Sequence, residues 1–394
     1  MKKIIAVLVF CIFTTIVAEE NEQVRPDWFD EIQIFSVMYS FHMPNPDMDQ
    51  IDFDGNVWGD GVFGRGDTLR HRANADWWHS RGGIYTPSAA LFSLHYDTVT
   101  AVSDSCRTRT IYGEQILLQG YIRQYSIFCP EWRAYLKELI EVAVDAGADG
   151  FQMDDAGYYD RLGNEGKQTF DPCTMDAFRD YLRNKYTPAE LLADFDIEDI
   201  DTFHYGDWLI ARGLDATWPQ GPYEGLVLEY FFLLIEGERD LVGDLTTHAH
   251  DYAMNTYGRE FTFSCNNGGF QGNFLIDKVD YMVNETMPFD EGGTRSHPYV
   301  KTYLGKTDWA VTLYVEALSN DILPPVTHNF AKVAMADIYA SGGIACFSSD
   351  IPRDFTPDGS GHVEYDHSVV AQYANFIHNN PALFENRRSM AKSL

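Results

Sequence analysis

Short apolar runs alternate with segments of helical periodicity along most of the chain. Apolar runs bounded by glycine or polar clusters predict strands, and apolar positions at three- and four-residue spacing predict helices. Predicted strands cover 32–38, 84–94, 115–125, 150–153, 261–265, 279–283, 309–315 and 344–347. Predicted helices cover 76–81, 130–146, 175–186, 223–252 and 328–341. Strands that alternate with helices in this way are typical of parallel βαβ units.

Eight predicted strands are the number that closes a (β/α)8 TIM barrel, and 394 residues leave room for insertions. The alternative is an open doubly wound sheet, but no Gly-x-Gly-x-x-Gly loop follows the first predicted strand. The sequence therefore predicts an α/β fold, a (β/α)8 TIM barrel with helical insertions. We expect one barrel domain over 19–394, with a helical insertion around 160–255.

The first residues have the pattern of a secretory signal peptide. Lys2 and Lys3 precede an apolar run over 4–17, which ends at Ala18 before two glutamates. A basic start, a short apolar stretch and a small residue are typical of an export signal. The run is shorter than the ~20 residues that a membrane-spanning helix needs. We expect cleavage after Ala18 and a secreted or periplasmic protein with no membrane partner once the signal is cleaved.

Charge and cysteine content narrow the function classes. Asp and Glu number 59 against 29 Lys and Arg, so the formal net charge is −30 and a nucleic-acid partner would be repelled. Outside residues 1–18, an odd set of cysteines contains no Cys-x-x-Cys pair, which argues against a zinc site or a disulfide-built scaffold but leaves one or two disulfides open. No metal and no cofactor are predicted, and the oligomeric state stays open. The stretch 52–56 has some calcium-loop character, but a solvated turn is the better interpretation.

In a barrel of this kind the active site lies at the C-terminal ends of the strands. The polar residues that follow the predicted strands are therefore the candidates. Carboxylates, amides and aromatic rings in such a ring would suit a hydroxyl-rich ligand, so the predicted partner is a carbohydrate substrate. The candidate substrate-binding residues are Tyr39, His42, His95, Arg123, Tyr158, Asn266, Asn267 and Asp350.

Four carboxylates at strand ends are candidates for catalysis. Asp154 and Asp155 follow the fourth predicted strand as an adjacent pair, and alternation would direct one of them into the barrel mouth. Glu285 follows the sixth predicted strand, and Glu316 lies in an apolar run near the seventh. Glycoside hydrolysis needs two such carboxyl groups, one to attack or stabilise the anomeric carbon and one to protonate the leaving oxygen.

The segment 145–155, Asp-Ala-Gly-Ala-Asp-Gly-Phe-Gln-Met-Asp-Asp, resembles the fourth-strand signature of barrel glycoside hydrolases of the α-galactosidase-like group. Segments 130–133 and 173–182 also resemble poorly characterised bacterial hydrolase-like barrels. The resemblance covers roughly 125–190. It implies a nucleophile at Asp154, an acid/base at Glu285 and a retaining mechanism.

Two departures from that group leave the catalytic pair open. Enzymes of the α-galactosidase-like group usually carry an aspartate as acid/base, whereas this chain has Glu285. A second large barrel group, resembling β-galactosidases, carries an Asn-Glu pair after strand four and a Glu after strand seven. If the strands are counted differently, Glu285 and Glu316 would form the pair.

The favoured hypothesis is a secreted glycoside hydrolase that cleaves a glycan or oligosaccharide with two carboxylates. One alternative is a polysaccharide lyase on the same barrel, with Tyr158 or His42 as base and Arg123 neutralising a uronic acid. The other is a barrel that binds sugar without turning it over.

Overall fold

A central parallel sheet organises the protein in the computed structural model. The model describes residues 28, 31–37, 51–91, 93–94, 102–115, 117, 122–154, 156, 169–218, 224–267, 274–286, 310–314, 335–336, 338–340, 342–348 and 367–384. The strands are β1 (Ile34–Val37), β2 (Gly55–Trp58), β3 (Ile84–Tyr85 and Ser88–Ala90), β4 (Gly150–Asp154), β5 (Thr262–Asn267), β6 (Tyr281–Thr286), β7 (Ala310–Tyr314) and β8 (Ile344–Ser348).

The sheet closes on itself through β3, whose two segments flank Thr86 and Pro87. The first segment pairs in parallel with β2 and the second with β4, while the other strands pair with their neighbours in numerical order and β8 pairs with β1. Across the interruption, the Gly59 N–H donates to the Thr86 carbonyl at 2.8 Å and the Gln152 N–H donates to the Pro87 carbonyl at 2.9 Å. Because every barrel strand has a partner on both sides, the predicted (β/α)8 barrel is confirmed.

Two strand predictions were wrong, and the two errors cancel in the strand count. The solvated turn expected over 52–56 instead leads into β2, all four of whose residues are buried. In the strand expected over 115–125, the described residues 115, 117 and 122–125 are not part of the barrel. Of these, Arg123–Gln124 pair antiparallel with Ser93–Leu94 in a small ribbon that follows β3, called here the mouth ribbon. One strand missed and one added leave β4 to β8 with their predicted numbers.

Helices follow the strands and cover the barrel. They are α1 (Thr68–His79), α2 (Pro130–Asp145), α3 (Pro172–Lys185), α4 (Pro188–Phe195), α5 (Tyr205–Ala211), α6 (Leu226–Tyr257) and α7 (His367–His378), and 335–336 and 338–340 are also helical. Pro130 and Pro172 each occupy a first helical position, where a missing N–H costs nothing. Asp171 caps α3 by accepting the Thr174 N–H at 2.9 Å. Within the described ranges, no helix is long and apolar enough to span a membrane.

The strands face two different environments. Their outer side chains, such as Phe151 and Phe263 with ring centroids 6.2 Å apart, belong to the large core that α2 and α6 complete. Inside the barrel a smaller apolar cluster contains Phe35, Val283 and Cys346. This separation follows from alternation of side chains along each strand.

Between β4 and β5 the chain forms α3 to α5 before it enters α6. These helices are held together by aromatic rings. Tyr230 of α6 lies 4.5 Å from Tyr205 and 4.8 Å from Phe178, measured between ring centroids. Trp218 lies 5.5 Å from Tyr205. The aromatic cluster fixes α3 and α5 against the N-terminal part of α6.

A disulfide joins Cys106 to Cys129, which are 23 positions apart in the sequence and whose Cα atoms are 5.5 Å apart. Cys129 is the N-cap of α2, so the bridge fastens the segment that carries the mouth ribbon to a core helix. Cys173, Cys265 and Cys346 are free thiols.

Removing this disulfide should cost about 3 kcal/mol of unfolding free energy, because the bridge restricts a loop of this length in the unfolded chain. The measurement is urea unfolding of the double variant Cys106→Ser/Cys129→Ser against wild type, each with and without reductant. Reductant should destabilise wild type and leave the double variant unchanged. Cys173→Ser is the control, since that thiol is half-buried and outside the bridge. Equal stability of wild type and the double variant would contradict the prediction.

Candidate functional site

Asp154 is the last residue of β4 and lies half-buried at the C-terminal mouth of the barrel. Its backbone is fixed on the β3 side, where Ala90 is its register partner and the Leu91 N–H donates to its carbonyl at 2.8 Å. On the β5 side Met153 pairs with Cys265, so Asp154 and the buried Asn266 are the next residues of two adjacent strands. The structure thus brings together two of the predicted site residues, Asp154 and Asn266.

The barrel interior is polar on the side below Asp154 and apolar on the opposite side. Gln152, two residues before Asp154, accepts a hydrogen bond at Oε1 from the Ser264 hydroxyl, and both side chains are fully buried. Burial raises the pKa of the Tyr281 hydroxyl, while hydrogen bonds with Ser264 and Thr86 oppose that rise. Within the described part of the chain, Gln152 Nε2 has no hydrogen-bond partner. Buried polar groups concentrated under one sector of the mouth mark that sector as the candidate site.

Two carboxylates influence the buried thiol of Cys265. Burial raises the pKa of this thiol well above its usual value, and the negative charges of Glu238 and Asp154 raise it further. Cys265 is therefore a protonated core thiol and not a nucleophile. Glu238 is a buried residue of α6, the helix that packs against β5.

Glu238 is a buried carboxylate of α6 that the sequence analysis did not single out. It lies four residues after Leu234 and three before Leu241, both buried, so it occupies the apolar stripe of α6. A charged residue on such a stripe is unusual, since carboxylates are almost never fully buried unless they are paired. The position of Glu238 at helical spacing from buried leucines was the sequence signal for its burial.

Arg123 lies in the mouth ribbon, half-buried and paired through its backbone with Leu94. Its guanidinium is next to Tyr125, where burial raises the pKa of the phenol and Arg123 lowers it. The ribbon begins three residues after Ala90, beside the hydrogen bond that joins Leu91 to Asp154. Arg123 therefore belongs to the loop that borders the Asp154 sector, although it does not follow a barrel strand as predicted.

Glu285 and Asn267 are placed by their strand positions. Glu285 is in β6, two residues after the interior residue Val283, and its backbone pairs with Leu313 of β7. Asn267 ends β5 and pairs with Asn284. One strand, β5, separates β4 and β6. The remaining predicted site residues lie outside the described residues, namely Tyr39, His42, His95, Asp155, Tyr158, Glu316 and Asp350.

The aspartates around β2 have separate structural partners. Asp54 precedes β2 and accepts the Ile34 N–H at 2.8 Å. Asp60 follows β2, where it accepts from Asn74 Nδ2 at 2.9 Å and lies 3.4 Å from the Arg70 guanidinium. The two carboxylates are at opposite ends of a strand and do not form a calcium loop. Among the residues that the structure describes, no group of three or more His, Cys, Asp or Glu could hold a metal ion.

Comparison with known proteins yields structural similarity without detectable sequence similarity. No protein-family model matches the chain. No curated protein matches it either. The catalytic domain of a β-amylase from Paenibacillus polymyxa superposes with a TM-score of 0.57 at 12% identity, over 87% of this chain and 98% of that one.

Two further solved structures are similar over most of this chain. The α-L-fucosidase isoenzyme 2 from Paenibacillus thiaminolyticus has a TM-score of 0.53 at 11% identity, over 91% of this chain and 51% of that one. The PgaB (BpsB) glycoside hydrolase domain from Bordetella bronchiseptica has a TM-score of 0.50 at 13% identity, over 90% of this chain and 99% of that one. At these identities the similarity establishes the fold: the chain is a (β/α)8 barrel of the form that these carbohydrate-active enzymes share.

Proposed function

We propose that the protein is a glycoside hydrolase with Asp154 in its catalytic centre. The observation that carries the proposal is the position of this carboxylate. It ends β4 at the C-terminal mouth, next to Asn266 and above the polar sector of the interior. Barrel enzymes place their catalytic groups at this end of the strands. The fold similarity to a β-amylase and to other glycoside hydrolases supports the same reaction class.

Glu285 is the proposed second carboxylate, acting as general acid/base. It is two strands from Asp154, and alternation along β6 predicts that position 285 shares the face of Val283, which is interior. In this proposal Asp154 attacks the anomeric carbon while Glu285 protonates the leaving oxygen, and Glu285 then deprotonates the water that releases the sugar. The retaining course rests on the resemblance of segment 145–155 to α-galactosidase-like enzymes. The alternative is that Glu285 and Glu316 form the catalytic pair.

The proposed substrate is a neutral or basic glycan. A net charge of −30 disfavours the approach of polyanionic chains. This charge also favours hydrolysis over the lyase alternative, which needs a cationic group beside a uronic acid and has Arg123 as its one candidate. Asn266 and Arg123 are proposed to orient the sugar, together with Asp155, Tyr158 and His42. Export through the signal peptide, with one barrel domain over 19–394, completes the proposal.

The test is a screen of aryl α- and β-glycosides and of neutral polysaccharides, with the anomer of the first product followed by NMR. Hydrolysis with retained configuration is the expected result. Glu285→Gln should lower turnover by about 10²–10⁴-fold on substrates with a poor leaving group, because general acid catalysis contributes that much. Its effect should be smaller on aryl substrates whose leaving group needs no proton.

The alternatives give distinct outcomes in the same screen. Absorbance from a new double bond would identify a lyase. Glycan binding without turnover, unchanged by Asp154→Asn and Glu285→Gln, would identify a sugar-binding barrel. If Glu316→Gln shows the leaving-group dependence and Glu285→Gln does not, the acid/base assignment to Glu285 is wrong.

A further inference from the structure

Three aspartates occupy equivalent positions at the N-terminal face of the barrel, opposite the candidate site. Asp54, Asp149 and Asp280 directly precede β2, β4 and β6. Each carboxylate accepts a backbone N–H from the odd-numbered strand that comes before it. The bonds are Ile34 N–H to Asp54 at 2.8 Å, Tyr85 N–H to Asp149 at 2.9 Å and Phe263 N–H to Asp280 at 2.6 Å.

Each of these aspartates is also bound by a histidine from a surrounding helix. His378 of α7 contacts Asp54 at 3.0 Å, His79 of α1 contacts Asp149 at 2.8 Å, and His250 of α6 contacts Asp280 at 2.9 Å. These three pairs are called the His–Asp clamps. Every clamp joins two neighbouring strands and one helix at a single carboxylate.

The clamps repeat with a period of two strands. Their helices follow β8, β2 and β4 in turn, and the strands they fasten are β2, β4 and β6. The next position in this series is the residue before β8, which is Gly343 and has no side chain to form a clamp. A repeated arrangement of this kind is difficult to attribute to incidental surface pairing.

The charged groups around each histidine are mostly acidic. Besides Asp149, His79 has Asp76 on its own helix and one opposing cation, Arg259, from the segment before β5. His250 has Asp251 beside Asp280. His378 has Asp52, whose carboxylate lies 3.8 Å from its Nδ1, beside Asp54.

These surroundings favour the protonated imidazole. The hydrogen bond with the clamp aspartate is the largest influence on His79 and His378 and raises their pKa above the ordinary 6.5. For His250, burial is the largest influence and lowers the pKa, but the hydrogen bond and charge of Asp280 outweigh it and the net direction is upward.

We propose that the three His–Asp clamps stabilise the N-terminal face of the barrel in a pH-dependent way. Each clamp holds its two strands and its helix together strongly when the histidine is protonated and more weakly when the histidine is neutral. Because the pKa of each imidazole is higher in the folded than in the unfolded protein, the stabilisation is complete below about pH 6.5. It is lost as the pH rises through the folded-state pKa. The clamps are on the face that determines stability in barrels, so they act independently of the proposed catalytic function.

The test compares wild type with the triple variant His79→Gln/His250→Gln/His378→Gln, since glutamine keeps an N–H donor but does not titrate. The Tm of wild type should fall by about 2–4 °C between about pH 6 and pH 8.5, a range that spans histidine titration. The Tm of the triple variant should fall clearly less over the same pH range. General repulsion in a chain of net charge −30 acts on both proteins, so the difference between them measures the clamps.

His204→Gln is the matched control, because His204 is the N-cap of α5, in the segment between β4 and β5, where its ring accepts the Asp207 N–H. Its Tm should follow wild type across the pH range. If the triple variant does not fold, the single variants replace it, and each should remove part of the wild-type decrease. An NMR titration gives a direct readout: the three clamp histidines should titrate above pH 6.5. Parallel Tm curves for wild type and the clamp variants, or clamp histidines titrating at or below 6.5, would overturn the proposal.

Discussion

Asp154→Asn should lower kcat/KM on the best glycoside by several orders of magnitude and leave the fold intact. Asparagine has the shape of aspartate and keeps its backbone contacts with Ala90 and Leu91, but a neutral amide neither attacks the anomeric carbon nor stabilises positive charge on it. Loss of a half-buried negative charge beside Cys265 should not reduce the unfolding free energy. The measurements are steady-state kinetics and thermal unfolding of the purified variant.

A matched control separates a catalytic role from a general effect of charge. Asp145→Asn is the same chemical change at the opposite end of the barrel, where Asp145 accepts hydrogen bonds from Tyr252 at 3.1 Å and Tyr257 at 2.9 Å. This control should retain activity close to wild type. The nucleophile assignment is tested further by adding azide to Asp154→Ala. A glycosyl azide of inverted configuration is expected, whereas wild-type turnover by Asp154→Asn would refute the assignment.

Trp132→Ala should lower the unfolding free energy by about 3–5 kcal/mol, the range for removal of a large buried aromatic side chain. Trp132 is fully buried in α2, and its ring stacks on Tyr125 with centroids 4.5 Å apart. Its Nε1 also donates to the Leu91 carbonyl at 2.9 Å, next to the bond between Leu91 and Asp154. Urea unfolding followed by circular dichroism measures the change.

Two variants show how that loss divides between packing and hydrogen bonding. Trp132→Phe keeps an aromatic ring and loses the N–H donor, so it should cost less than the alanine variant. Trp77→Ala removes a tryptophan that contacts Trp78 at 5.1 Å and lies under the Arg81 guanidinium at 4.0 Å, and it should cost only about 1 kcal/mol. A cost for Trp132→Ala no greater than for Trp77→Ala would contradict the assigned core role.

The α2–β4 unit could be predicted because each local signal agreed with the final structure. Pro130 begins the helix, buried residues such as Leu136 and Ile140 follow at four-residue spacing, and Gly147 ends it with a positive φ of 87°. The strand that follows is short and, apart from Gln152, apolar up to Asp154. Local and tertiary preferences coincide here, so the position of this carboxylate at the barrel mouth follows from the sequence.

Strand prediction failed where the local sequence pattern does not reflect which residues are buried in the fold. β2 has the sequence Gly-Asn-Val-Trp between two aspartates and is buried on both faces, so it shows neither alternation nor a long apolar run. The segment 115–125 has the apolar content of a strand, but its residues Arg123–Gln124 pair in the mouth ribbon, and the flanking Ile122 and Tyr125 are buried outside the barrel. The clamp of His378 with Asp54 spans 324 positions, and no sequence pattern reports a contact of that kind.

The length of α6 has a mechanical consequence. A helix of 32 residues extends about 48 Å, more than twice the length of the six-residue β5 that follows it. Its C-terminal part is fastened to the barrel, where His250 contacts Asp280 at 2.9 Å and Tyr252 donates to Asp145 at 3.1 Å. Its N-terminal part carries the insertion through Glu229 and Tyr230. The insertion can therefore tilt only if α6 bends or slides along the barrel. Where the proposed substrate contacts α6, we expect discrimination to come from its fit to a rigid helix and not from closure around the ligand.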